Sequence, residues 1–103
     1  MGVIFETVDK IGKNVHLSKE RWKHIQKHPH MHNHLESIQL VLKKPITIRY
    51  EEDESVLYFY KEFKENEFTE RYLLVGVKYL NNHGFIITSF FTNKITGLKW
   101  KIE

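Results

Sequence analysis

Pro45 divides this chain into two hydrophobic periods. Ahead of it, Trp22 and Ile25, then Leu35, Ile38, Val41 and Leu42, recur at the three-and-four spacing of one helix face. Behind it, Ile46, Ile48 and Tyr50 alternate with Thr47, Arg49 and Glu51, the pattern of a strand with one buried side. The two patterns are not interchangeable, because side chains line up every three to four residues on a helix and every second residue on a strand. Helices therefore belong to the first half of the chain, and a run of strands to the second.

Within the first half, residues 17–29, LSKERWKHIQKHP, read as a short amphipathic helix. Ser18 is the N-cap, its hydroxyl accepting from an otherwise orphaned amide of the first turn. Glu20 in that turn suits the positive end of the helix dipole. His24 and His28 are four apart, which places both imidazoles on one face, and Pro29 disfavours helix at His28. A second helix starts at His32 or Asn33 and runs to about Lys43, with Lys43 and Lys44 at the end that favours cations and Pro45 beyond. Two strands precede the helices, at 3–8 and 15–17, joined by a turn at 9–14.

After Pro45, strands are expected at 46–51, 56–63, 71–80, 85–92 and about 98–102. Between them lie an acidic turn at 52–55, a charged loop at 64–70, the turn Asn81-Asn82-His83-Gly84, and a turn at 93–97. Such short connections imply hairpins and hence antiparallel pairing. The expected fold is therefore α+β, with two short N-terminal helices packed on one face of a twisted antiparallel β-sheet, and residues 1–103 forming one domain.

Composition excludes several classes. Apolar residues make up 41% of the chain and aromatics 14%, which fits a folded core and not a disordered tail. Cysteine is absent, so there is no disulfide framework and no thiolate nucleophile or metal ligand. No apolar run approaches the roughly 18 residues of a membrane helix, and the first residues lack the pattern of a signal peptide. A cytoplasmic protein with no membrane association is the expectation. Net charge is +3, but residues 51–70 carry eight acids against Lys61 and Lys64, a local −6, which leaves +9 on the other 83 residues. A basic surface suited to phosphates is one reading of that asymmetry, and ordinary solvated loops the other.

The order of short motifs carries a resemblance. ERWKHIQKHP, a second helix ending in KKP, then LYFYKEF, LLVGVKY, GFIITSFFT and a terminal K-x5-W (Lys94 to Trp100) follow one another from Val15 to Trp100. This arrangement is similar to the phage-associated branch of the barnase–EndoU–colicin–RelE-like nucleases. The resemblance implies a barnase/RelE-like sheet and a metal-independent endoribonuclease, in the manner of a toxin, that attacks phosphorus with the 2′-hydroxyl. It also implies RNA, free or ribosome-bound, as substrate, a cognate antitoxin as partner, and no cofactor or metal. The alternative is a non-catalytic RNA- or protein-binding module that keeps the fold and has lost the chemistry.

RNA cleavage without a metal needs a base for the 2′-hydroxyl proton, an acid for the leaving 5′-oxygen, and cations for the phosphorane charge. Histidine titrates near neutrality and can serve as either, so His28 and then His24 are the acid–base candidates; their other reading is a helix-capping and a packing role. Arg49 and Lys78 are the cationic candidates, against readings as a surface ion pair and a strand-end lysine. Tyr58 and Tyr60 share one strand face, as a stacking platform, as a phenol near the phosphate, or as packing. Thr88 and Thr92 share a face of the FIITSFFT strand, opposite Ser89 and Phe91, and Lys94 follows in the turn. Thr88 and Tyr60 join the catalytic set, whereas Tyr58, Thr92 and Lys94 are expected to bind substrate. His24, His28, His30, His32 and His34 crowd one stretch without any established zinc spacing.

Overall fold

The computed structural model describes residues 2–64 and 69–100. The chain opens with two strands, β1 (Val3–Val8) and β2 (Asn14–Ser18), followed by two helices, α1 (Lys19–Ile25) and α2 (Leu35–Lys43). Five strands come next: β3 (Thr47–Tyr50), β4 (Val56–Glu62), β5 (Tyr72–Leu80), β6 (His83–Thr92) and β7 (Leu98–Lys99). All seven strands form one sheet in the order β1-β2-β6-β5-β4-β3-β7.

The expected fold, two N-terminal helices on an antiparallel sheet, is not what forms. The molecule is a strand-dominated mixed sheet of seven strands with helices of only seven and nine residues. The two strands ahead of the helices form a β-hairpin, and β2 lies parallel to β6 through Asn14↔His83, Val15↔Gly84 and His16↔Phe85, against the expected all-antiparallel pairing. The reason is burial. Val15 and Leu17 are fully buried, and an isolated two-stranded hairpin is marginal in water. The hairpin satisfies both needs by extending the sheet at β6. Alternation in a sequence specifies which face a strand buries, but not its neighbour or its direction.

The helices are shorter than expected for local reasons. Leu17 and Ser18 belong to β2, and α1 is over by Ile25, where the chain turns into i→i+3 bonds from Lys27 N to the His24 carbonyl and from His28 N to Ile25. Pro29 thus acts back through the preceding turn. Ser18 does cap the helix, its Oγ accepting from Arg21 N at 3.1 Å. Residues 101–102 of the last expected strand and 65–68 in the middle of the charged loop lie outside the described residues.

One side of the sheet carries the core. Leu57, Phe59, Leu73, Val75, Val77, Ile86 and Phe91 face Ile25, Met31, Ile38, Val41 and Leu42 of the helical segment. Register puts the alternate residues on the opposite side, which the helices leave uncovered: Thr47↔Tyr60↔Leu74↔Phe90, Arg49↔Tyr58↔Gly76↔Thr88, and Lys78↔Phe85↔His16. A register shift beside Gly76 and Val77 lets both stretches of β6 keep this alternation. From the end of β6 the chain crosses β5, β4 and β3 through 93–97 to reach β7, which pairs with β3.

Candidate functional site

The uncovered face gathers most of the residues singled out by sequence. Arg49, Tyr58 and Thr88 stand in one cross-strand row, with Gly76 between Tyr58 and Thr88. Gly76 has no side chain to fill its place. A Cβ there would lie 2.9 Å from the Thr88 methyl and 3.2 Å from the Tyr58 ring, so Tyr58 and Thr88 close over bare backbone. Aromatic cover of a strand glycine is a known means of sheet stabilisation, and here it also fixes the Tyr58 ring on the open face. Burial, with Glu51, Tyr60 and Asp53 nearby, pushes the Tyr58 phenol above its usual range, so it stays a neutral donor at physiological pH.

His28 joins this face from the side. Its ring lies 5.2 Å from that of Phe90, one open-face position along β6 from Thr88. His24 does not join it. The helix has ended before His28, so the four-residue spacing no longer aligns the two rings. Instead His24 borders a shallow surface depression with Glu20, Lys23 and Lys27.

The remaining candidates are placed as follows. Arg49 bends away from Tyr58, with Nε donating to Thr47 Oγ1 at 3.0 Å and Nη1 to the Gly97 carbonyl at 3.3 Å. Strand spacing of about 4.8 Å sets Arg49 roughly 14 Å from Thr88, three strands away. Lys78 is held at the β3–β4 turn, its Nζ 3.0 Å from Asp53 Oδ2 and 2.7 Å from Ser55 Oγ. Hydrogen bonds from Ser55, then Lys78, pull the exposed Asp53 carboxyl down to about 2. Tyr60 is only 2% exposed, roofed by the crossing segment, and its hydroxyl accepts from Thr96 N at 3.4 Å. Thr92 closes a small turn by accepting from Lys94 N at 3.2 Å, and Lys94 itself is exposed.

Two features escaped the sequence reading. His16 and His83 meet on the open face, Nδ1 of His16 standing 2.7 Å from Nε2 of His83, with Phe85 edge-on to His16 at 5.0 Å. Burial and the neighbouring His83 lower the His16 pKa, and Glu6 works against them. The pair was hidden because Asn81 and Asn82 alone make the turn, both with positive φ, so His83 is already a strand residue. The second feature is Asp9, which is 5% exposed. Its Oδ1 accepts from Ile11 N and Lys13 N, and its Oδ2 from the Tyr79 hydroxyl at 2.5 Å. Burial, then this bond, drives the Tyr79 pKa far up. The turn thus fixed lines a cavity of about 780 Å³ with Lys10, Lys13, Ile46, Ile48 and Trp100.

Among the described residues, no group of three or more His, Asp or Glu converges as a metal site, and no helix is long and apolar enough to cross a membrane. Comparison with protein-family models, with curated proteins and with solved structures gives no match.

Proposed function

We propose that the chain is a metal-independent endoribonuclease that holds RNA across the uncovered face of its sheet. The observation that carries this reading is the row Arg49, Tyr58, Gly76 and Thr88, flanked by His28 against Phe90. It combines an aromatic surface for bases, hydroxyl donors for phosphate and an imidazole able to move a proton near neutrality. The resemblance to the phage-associated barnase–EndoU–colicin–RelE-like nucleases points to the same chemistry, and with it to a toxin, held in check by an antitoxin on this face.

In the proposed reaction the 2′-oxygen attacks phosphorus, the P–O5′ bond breaks, and a 2′,3′-cyclic phosphate forms. His28 takes the proton from the 2′-hydroxyl or gives one to the leaving 5′-oxygen, and solvent water exchanges the other proton. Thr88 and the neutral Tyr58 phenol donate hydrogen bonds to the non-bridging oxygens, where charge accumulates. Arg49 is too far across the sheet to share that phosphate and holds the next one along the strand, once it releases the Gly97 carbonyl. Lys78 answers to Asp53 first, and Tyr60 acts from beneath as support for the platform.

A second reading is favoured by one observation: His24 is not beside His28, so the open face offers His28 no imidazole from α1 as the complementary acid or base. A non-catalytic module that binds RNA or a protein on the same face fits that. One experiment separates the readings. Purified protein is incubated with total and ribosome-bound RNA in EDTA, and wild type is compared with His28→Ala. Cleavage with cyclic-phosphate ends, reduced about 100-fold or more in a folded His28→Ala, supports the nuclease. Binding of RNA without cleavage by wild type leaves the module.

A further inference from the structure

We propose that His16 and His83 form a binding site for a borderline divalent transition-metal ion, such as zinc or nickel, that staples the N-terminal hairpin to the rest of the sheet. The two facing nitrogens come from strands 67 residues apart and stand 2.7 Å from each other. In the metal-free pair one ring donates its N–H to the other's lone pair. If the donor ring moves its proton to its outer nitrogen, both facing nitrogens carry lone pairs, and a tilt of each ring by about 35° turns them onto one ion, making a chelate of two neutral imidazoles. Zinc–nitrogen bonds of about 2.0–2.1 Å at a tetrahedral angle set the nitrogens about 3.3 Å apart, so the rings need open by only about 0.6 Å.

The surroundings favour nitrogen ligation by the neutral ring. His16 and His83 are both half-buried on the sheet, which holds their facing nitrogens together. Phe85 packs edge-on against His16 and lies near His83, so both rings are oriented by one aromatic neighbour. Glu6 sits directly across the β1–β2 ladder from His16 and is exposed, so the shell beyond the two imidazoles would be filled by water on the solvent side. Two imidazoles and an oxygen suit zinc or nickel, and not calcium or magnesium, which prefer all-oxygen shells.

The position gives the ion a structural consequence. β2 and β6 are joined by three residue pairs, and His16 and His83 lie at the two ends of that short parallel run. An ion that binds the folded pairing and not the separated strands stabilises it by mass action. The site is independent of the ribonuclease reading, since His83 lies seven residues along β6 from Phe90 and the ion needs no RNA.

The test is thermal unfolding of tag-free protein with zinc or nickel chloride, together with NMR of the histidine ring resonances. The control is His30→Asn/His32→Ala, which removes two competing imidazoles of the loop. At about 100-fold excess over the dissociation constant, wild type and control should each gain about 10 °C in Tm, and the His16 and His83 rings should shift first. His83→Ala should lose the gain. If that variant does not fold, the ring resonances of wild type and control decide the matter. No gain in wild type, a gain lost in the control, or unmoved His16 and His83 rings would overturn the proposal.

Discussion

Asp9 accepts three hydrogen bonds at a nearly water-free position, and replacing it removes all three acceptors together. Asp9→Ala should therefore destabilise the fold by about 2–4 kcal/mol, measured by urea unfolding, since bonds to a charged acceptor contribute more than neutral ones. Tyr79→Phe takes away one donor and should cost less, about 1–2 kcal/mol; the reverse order would show that Asp9 does not organise the turn. Gly76→Ala tests the open face at the same scale. Its new methyl needs space held by the Thr88 methyl and the Tyr58 ring, so a loss of about 1–3 kcal/mol from overpacking is expected. Here the sequence was partly legible. The alternation in LYFYKEF put Tyr58 and Tyr60 on one face, but whether each is open or roofed depends on the segment 93–97, which comes more than thirty residues later.

Among the elements, those with local signals were readable. Ser18 as N-cap and the buried faces of β4, β5 and β6 follow from one stretch of sequence each. Ser18→Ala should cost about 1 kcal/mol, read as a shift in the thermal midpoint. What was not readable is pairing between remote elements. Neither the parallel β2–β6 run nor the His16–His83 meeting leaves a trace in periodicity, because hydrophobic alternation is blind to the identity of a strand's neighbour. The histidines crowded at 24–34 drew attention by proximity in sequence, yet the pair that meets ring nitrogen to ring nitrogen at 2.7 Å, His16 and His83, comes from outside that stretch. The early end of α1 has the same character: one proline was visible, but not how far back its effect would reach.

At the scale of the whole molecule, pH acts through groups in separate windows. His16 and His34 are both held below the ordinary histidine value, chiefly by burial. Unfolded, each takes up a proton near pH 6.5 that the folded state resists. Stability from these groups is complete above about 6.5 and is lost as pH falls below it. Asp53 acts in the same sense in a lower window: its folded value of about 2 gives a contribution present above the ordinary carboxylate range and lost as pH falls toward 2. Urea midpoints measured from pH 8 to 5 should fall, and His16→Gln should flatten that fall while leaving the behaviour below pH 4 unchanged.

The path from β6 to β7 also orders events in time. Among the described residues β7 contributes two residue pairs to β3, and the chain reaches them only by passing over β5, β4 and β3. An edge strand reached by such a crossing has nothing to dock on until the three strands beneath have assembled, so it buckles the sheet last. In native-state hydrogen exchange, the Trp100 amide, bonded to the Ile48 carbonyl, should open well before the amides of β5. Tyr60 would then be uncovered transiently from a protein otherwise folded, a local unbuckling with its own rate and its own free energy.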